Sequence, residues 1–274
     1  MTQRVSALGL DATIGILGGG QLGRMLALAA ARLGLKCHVY APEPQSPAFE
    51  VVRSVTQADY ADENALDRFS RDVDVITYEF ENVPHETAAF LAARKPVLPD
   101  PSVLAVTQDR LIEKDFVTNL GIPTAPYLKV DRFDELAAMV GKIGKPAVLK
   151  TRRFGYDGKG QVMIRNGVDL ASAWAAMGEQ PSILETFVNF EREISVVAAR
   201  SHDGHVECFD VTENEHRDHI LKVSHVPASI PPSVAAQARR IAETFANAVN
   251  YVGVFAVEMF VVASGQPGGE PHIL

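Results

Sequence analysis

Short apolar runs alternate with alanine-rich or amphipathic stretches through the first hundred residues, and this rhythm predicts the elements. Thr13-Ile14-Gly15-Ile16-Leu17 reads as a buried strand that runs into Gly18-Gly19-Gly20-Gln21-Leu22-Gly23. An alanine-rich helix, Leu22 to Leu33, ends at Gly34, and a second strand covers Lys36 to Tyr40. Val51-Val52, an acidic helix from Glu63 to Arg71, a strand from Val73 to Thr77, a helix from His85 to Arg94 and a short strand from Lys95 to Pro99 continue the alternation. Strands regularly interleaved with helices predict a doubly wound α/β domain.

From Val103 the rhythm changes. One helix is expected from Val103 to Leu120, carrying Gln108-Asp109-Arg110 and Lys114 and stopped by Gly121-Ile122-Pro123. A strand at Tyr127 to Val130, a helix from Phe133 to Gly141 and a strand ending at Lys150 lead into a glycine-rich hairpin. Ile183 to Val188 is the next strand, and Glu193 to Arg200 alternates as the start of a larger sheet, turning at Asp203-Gly204 and returning through Val206 to Phe209. Thr212 to His219 is expected as a polar, solvated loop. A helix from Ser233 to Val249 precedes a strand from Tyr251 to Phe260. The expected division is an α/β domain over 1–119, a smaller α+β unit over 120–192 and a larger sheet unit over 193–274.

Composition narrows the class. The chain has 274 residues, 47% of them hydrophobic and 22% charged, enough for a sizeable core. A formal net charge of −8 argues against nucleic acid as a partner but leaves room for a locally basic pocket. The two cysteines, Cys37 and Cys208, suggest neither a disulfide framework nor a zinc site. No apolar run reaches membrane-spanning length and the N-terminus lacks an apolar signal core, so a cytoplasmic protein without a membrane partner is expected.

Three stretches carry candidate chemistry. Lys150-Thr151-Arg152-Arg153-Phe154-Gly155-Tyr156-Asp157-Gly158-Lys159-Gly160-Gln161 places three glycines among four cations, a composition suited to folding over polyphosphate. A solvated hairpin that protects a sheet edge is the plainer reading. Gly18, Gly20 and Gly23 occupy the three positions of a dinucleotide fingerprint at a helix N-terminus. The acid that should follow the second strand is missing, because Tyr40 leads into Ala41-Pro42 and Glu43 comes late, which counts against a dinucleotide. The glycines then serve either a single phosphate or tight packing. Tyr78-Glu79-Phe80-Glu81-Asn82 lies beyond a strand's carboxyl end, where polar substrates are read, or else caps the next helix. Further along, Glu185 and Glu193 are candidates for the contacts of a purine nucleoside, or they pair with Arg192 and solvent. Glu258 interrupts an apolar strand; it is either a buried carboxylate needing a base or Mg²⁺, or an outward residue of an alternating strand.

Taken in order, Ile16 to Met25, Thr77 to Pro84, Gln108-Asp109-Arg110, Gly121 to Pro126, Lys150 to Gln161 and Gly253 to Glu258 resemble the ATP-grasp superfamily. Within it they resemble the N5-carboxyaminoimidazole ribonucleotide synthetases, the PurK family, over nearly the whole chain. The resemblance implies an ATP-grasp fold behind an N-terminal preATP-grasp domain. It also implies ligase chemistry in purine biosynthesis: ATP phosphorylates bicarbonate, and carboxyphosphate carboxylates the exocyclic amine of 5-aminoimidazole ribonucleotide, giving ADP and phosphate. By position, Arg110 and Lys150 match ATP-phosphate contacts and also the catalytic set, with Asp157 near the reacting amine. Gly155, Tyr156, Asp157, Gly158, Lys159, Gly160 and Gln161 match the loop over the phosphates. Glu185, Thr186, Phe187 and Val188 match the adenine-reading strand, Glu193 the ribose acid and His216 a further nucleotide contact. Glu258 matches one of two Mg²⁺ carboxylates, and Gly20, Gln21, Leu22 and Glu79 the region receiving the ribonucleotide. A homodimer is implied as well.

The family's strand after Glu258 runs on to an Asn-Glu pair carrying the second metal carboxylate and then to a further domain portion, so the resemblance implies a chain without its C-terminal part. Two other classes stand beside this one: a nonenzymatic ATP-binding module, and an NAD(P)-dependent oxidoreductase built on the first domain.

Overall fold

Residues 8–155, 158–264 and 270–274 are described by the computed structural model of the chain. They fall into two compact units, one of Met1–Ala105 with Tyr251–Gly253, the other of Val106–Asn250 with Val254–Leu274.

In the first unit, β1 (Thr13–Leu17), α1 (Gln21–Arg32), β2 (Lys36–Ala41), β3 (Ser54–Gln57), α2 (Glu63–Arg71), β4 (Val75–Tyr78) and α3 (His85–Ala92) follow one another. The four strands are parallel in the order β3-β2-β1-β4. Neighbouring residues of β1 and β2 serve opposite faces. Ile16 and Val39 pack with Ala27 and Ala30 of α1, whereas Leu17 and Tyr40 pack with Leu66 and Phe69 of α2 and Leu91 of α3. Both faces are therefore buried, which is why these strands read as unbroken apolar runs. The strand expected from Lys95 to Pro99 is reduced to one bridge, Ile76 to Val97, because the prolines at 96 and 99 cannot donate to a ladder.

A single helix from Val103 to Leu120 is not formed. α4 (Pro101–Thr107) and α5 (Arg110–Asn119) are separate, broken at Gln108-Asp109. Asp109 is extended, and its Oδ1 accepts from the Leu111 amide at 2.9 Å, so the aspartate starts a new helix instead of continuing the old one. The division between units falls inside α4, before α5, where the expected boundary was residue 119.

The second unit continues with β5 (Tyr127–Val130), α6 (Phe133–Ile143), β6 (Ala147–Thr151), β7 (Gln161–Ile164), α7 (Leu170–Ala176) and β8 (Ser182–Thr186). The strands form an antiparallel sheet in the order β5-β8-β6-β7. Val130, Leu149, Ile164 and Leu184 point to one face and pack with Leu136 and Val140 of α6 and Trp174 of α7. Next come β9 (Arg192–Arg200), β10 (Val206–Cys208), β11 (Thr212–Arg217), β12 (Ile220–His225), α8 (Pro232–Ala248), β13 (Gly253–Val262) and β14 (His272–Ile273). Their sheet has the order β12-β11-β9-β13-β14, with β10 on β9. Ile194, Val196, Met259 and Val261 pack against Ala238, Ile241 and Ala242 of α8.

Thr212 to His219 is therefore a strand and a turn, not a loop. β11 pairs with β12 from Glu213 to Arg217 and with β9 from Thr212 to Asn214, so ladder pairing holds it as a strand although its side chains are polar. β12 escapes pattern recognition because all six of its residues are exposed. Glu258 is exposed on β13 while Met259 and Val261 face the core, so of the two readings of this residue the alternating strand with an outward carboxylate is the one found. No helix of the described residues is long and apolar enough to cross a membrane.

Candidate functional site

One face of the small sheet is sealed by α6 and α7; the other carries polar residues. Tyr127 of β5 pairs with Glu185 of β8, and Glu185 pairs with Val148 of β6, two residues before Lys150. With a side-chain period of two, Lys150 and Glu185 stand on the same face as diagonal neighbours. Lys150 Nζ donates to Glu185 Oε2 at 2.9 Å. Arg110 and Lys114 are four residues apart on α5 and so lie one above the other on that helix. Lys114 Nζ sits 3.6 Å from the same Glu185 Oε2 and 5.7 Å from the centroid of the Tyr127 ring. Arg110 Nη2 donates to the Gly155 carbonyl at 3.1 Å.

Glu185 is only 5% exposed, and its Oε1 has no hydrogen-bond partner among the described residues. Burial pushes its carboxyl up, but Lys150, Lys114 and Arg110 together outweigh burial and hold it below the usual range. Burial pushes the Lys114 ammonium down, and the attraction of Glu185 only partly restores it. One carboxylate facing three cations leaves this patch with a surplus of positive charge in a chain whose net charge is −8. That imbalance is suited to an anion.

The start of α5 is tied to the glycine-rich hairpin. Arg152 Nε donates to Asp109 Oδ1 at 2.9 Å and its Nη2 lies 2.7 Å from Oδ2. Arg153 Nη2 donates to Gln108 Oε1 at 2.9 Å, and the Arg110 amide donates to the Arg152 carbonyl at 2.9 Å. Two of the four cations in the hairpin, Arg152 and Arg153, are thus engaged by Gln108-Asp109, and a third, Lys150, by Glu185. Gly160 has φ +68° and its carbonyl accepts from the Thr151 amide at 2.8 Å, closing the hairpin where Gln161 and Lys150 pair. Gly158, at φ +76°, lies against the ring of His219, which a Cβ would overlap. Lys159 is exposed beside it. Tyr156 and Asp157, both expected at this site, lie outside the described residues.

At the end of β8 the Thr186 amide donates to the Pro126 carbonyl at 2.9 Å and the Phe187 amide to the Pro146 carbonyl at 3.2 Å. On the larger sheet Glu193 pairs with Asn214, which brings His216 diagonally beside it. His216 Nδ1 lies 2.5 Å from Glu193 Oε2 without hydrogen-bond alignment. Glu258 stands exposed on β13, and no group of three or more His, Cys, Asp or Glu residues able to hold a metal occurs among the described residues.

A second candidate site lies in the first unit. Gly18 has φ +100°, and the Gly20 amide donates to Glu79 Oε1 at 2.6 Å while the Gly23 amide donates to Oε2. The α1 N-terminus, which has no side-chain cap of its own, is thus capped by a carboxylate from beyond β4. A Cβ on Gly23 would come within 2.8 Å of the Gly18 carbonyl and 3.0 Å of Glu79. The glycines make room for Glu79, and the helix end that a dinucleotide pyrophosphate needs is already occupied by it. Gln21 and Leu22 are exposed beside it. Lys114 and Asp109 were not singled out as site residues from the sequence. The signals that could have found them are the four-residue spacing of Arg110 and Lys114, and an aspartate three residues before Ile112.

Comparison with known proteins identifies the family of both units. The ATP-grasp domain profile matches residues 115–266 and the ribonucleotide synthetase preATP-grasp domain profile matches residues 11–108. The chain is 48% identical over 255 residues to the N5-carboxyaminoimidazole ribonucleotide synthase of Brucella melitensis, covering 92% of this chain and 70% of that protein. It is 45% identical over 273 residues to the bifunctional purine synthesis protein purC/E of Dictyostelium discoideum, covering 97% of this chain and 27% of that longer protein. A crystal structure of an ADP complex of purK, N5-carboxyaminoimidazole ribonucleotide synthetase, superposes with a TM-score of 0.89 at 39% identity, covering 96% of this chain and 69% of that one.

Proposed function

The chain belongs to the N5-carboxyaminoimidazole ribonucleotide synthase family of ATP-grasp ligases, and we propose that it binds ATP on its second unit and serves the carboxylation of 5-aminoimidazole ribonucleotide with bicarbonate, by way of carboxyphosphate. The observation that carries this reading is the surplus of positive charge around Glu185, where Lys150, Lys114 and Arg110 meet a single buried carboxylate.

Phosphoryl transfer asks a protein for positioning and charge neutralisation more than for a strong base. Lys150 and Arg110 are the phosphate contacts in this reading. Arg110 spends one donor on Gly155 and keeps others for oxygen ligands. The hairpin from Gly155 to Gln161 covers the phosphates and excludes water from a labile acyl phosphate, with Asp157 near the reacting amine. Glu185 to Val188 read the base, and Glu193 with His216 reads the ribose side. In this reading Glu258, exposed on β13, would hold Mg²⁺, and the ion would supply charge neutralisation for phosphoryl transfer. Gly20, Gln21, Leu22 and Glu79 receive the ribonucleotide, with Glu79 already fixed by the α1 amides. A cytoplasmic homodimer completes the reading; light scattering at working concentration tests the dimer.

The test is ADP release from this chain with Mg-ATP and bicarbonate, with and without aminoimidazole ribonucleotide, beside the Brucella melitensis relative. Ribonucleotide-dependent ADP release from this chain supports the reading. ADP binding without turnover, while the relative turns over, would make it an ATP-binding module, and absence of nucleotide binding would remove the reading altogether.

A further inference from the structure

Glu185 is a buried carboxylate whose ionised form depends on its neighbours. Lys150 at 2.9 Å and Lys114 at 3.6 Å share one oxygen, Oε2, and the other, Oε1, is buried with no partner among the described residues. Lys150 also has a second duty in the nucleotide reading, on which this inference rests: as a phosphate contact its ammonium is shared between a polyphosphate and Glu185, so the carboxylate keeps less of it. A buried carboxylate left without a cation is costly and takes up a proton instead. Lys114 is placed to prevent that. It hangs from α5, whose start is fixed by Asp109 and Arg152, and its ammonium already lies near the Tyr127 face and within ion-pair distance of Glu185.

We infer that Lys114 is a positioning residue that holds Glu185 ionised and in place when bound nucleotide recruits Lys150. The site then has a counter-ion in reserve: Lys150 and Lys114 both lie at Glu185 Oε2, and Lys114 continues to serve it when a polyphosphate competes for Lys150. The charged and titratable groups acting on Lys114 are Glu185, Lys150 and Glu113, with the Tyr127 ring beneath it; those acting on Glu185 are Lys150, Lys114 and Arg110.

The experiment is calorimetric titration of ADP into the wild-type chain, K114M, E185Q and the double variant K114M/E185Q, near neutral pH, in two buffers of different protonation enthalpy. Expected is ADP binding weaker by about tenfold in K114M, with uptake of roughly one proton per ADP that the wild type does not show. In the E185Q background, which has no carboxylate to keep ionised, the same Lys114 change costs less than about threefold. K114R restores both affinity and proton count. Wild-type affinity in K114M, or an equal loss in both backgrounds without proton uptake, overturns the inference. Should K114M not fold, K114Q carries the same expectations. Failure of the wild type itself to bind ADP is a different result, and it removes the nucleotide reading rather than the role of Lys114 within it.

Discussion

Asp109 grips Arg152 with both carboxylate oxygens, at 2.9 Å and 2.7 Å, while the same side chain caps the first turn of α5. One residue therefore fixes two things: where the helix begins, and how the base of the glycine-rich hairpin lies against it. The Asp109 side chain is 14% exposed and the Arg152 side chain 21%, so the pair is partly dry, and its geometry is the two-pronged one that favours arginine.

Asp109→Ala loses a helix cap and leaves Arg152 with Asp131, at 3.7 Å, as its one ion-pair partner among the described residues. A destabilisation of about 2–4 kcal/mol is expected, about 1 from the cap and the rest from the stranded cation. Urea denaturation measures it. In a double-mutant cycle, Asp109→Ala should cost only its cap once Arg152→Met is present. Equal costs in both backgrounds would show that the ion pair contributes nothing.

Gly23 and Gly141 should respond oppositely to alanine. At Gly23 a Cβ meets the Gly18 carbonyl at 2.8 Å and Glu79 at 3.0 Å, so Gly23→Ala must displace the capping carboxylate, at a cost of about 1–3 kcal/mol. At Gly141, inside α6, a Cβ meets nothing within 4 Å, and Gly141→Ala should stabilise by about 0.5–1 kcal/mol. Thermal melts of the two variants settle both signs. The Gly23 variant should also lose ribonucleotide affinity while keeping ADP affinity.

The acid side of the stability profile should show two windows. His38 is 5% exposed, with Nε2 at 2.8 Å from Thr56 Oγ1 and Nδ1 without a hydrogen-bond partner among the described residues. Burial holds it below its ordinary 6.5, against a weaker upward pull from Asp72. The unfolded chain therefore binds this proton before the fold does, and stability that is complete above 6.5 falls as pH drops below it. Glu185 acts lower: its folded carboxyl lies below 4.5, so its contribution is present above that value and is lost as pH falls through the folded one. Denaturation from about pH 7.5 to about pH 5.5 should show a drop in the wild type that His38→Leu makes smaller and Glu185→Gln leaves unchanged. An unchanged drop in the His38 variant would refute the first assignment.

The apolar runs of β1 and β2, the alternation of strand and helix through His85 to Ala92, and the glycine-rich motifs were all legible along the chain, because burial and backbone freedom leave local marks in residue type. So was the family, since its motifs lie in order from Ile16 to Glu258. Strand β12 was not, because a fully exposed edge strand carries no apolar period. Nor was the break at Gln108-Asp109, where the Asp109 cap and the pairing with Arg152 and Arg153 together make the interruption worthwhile. Which acid sits among cations, which caps α1 and which faces outward was decided by register and packing: Glu185, Glu79 and Glu258 are the same residue type, and the distances that separate their roles exist only once the strands have paired. Sequence determined what chemistry the chain carries; tertiary structure determined which groups share it, because charge interacts through space and not along the backbone.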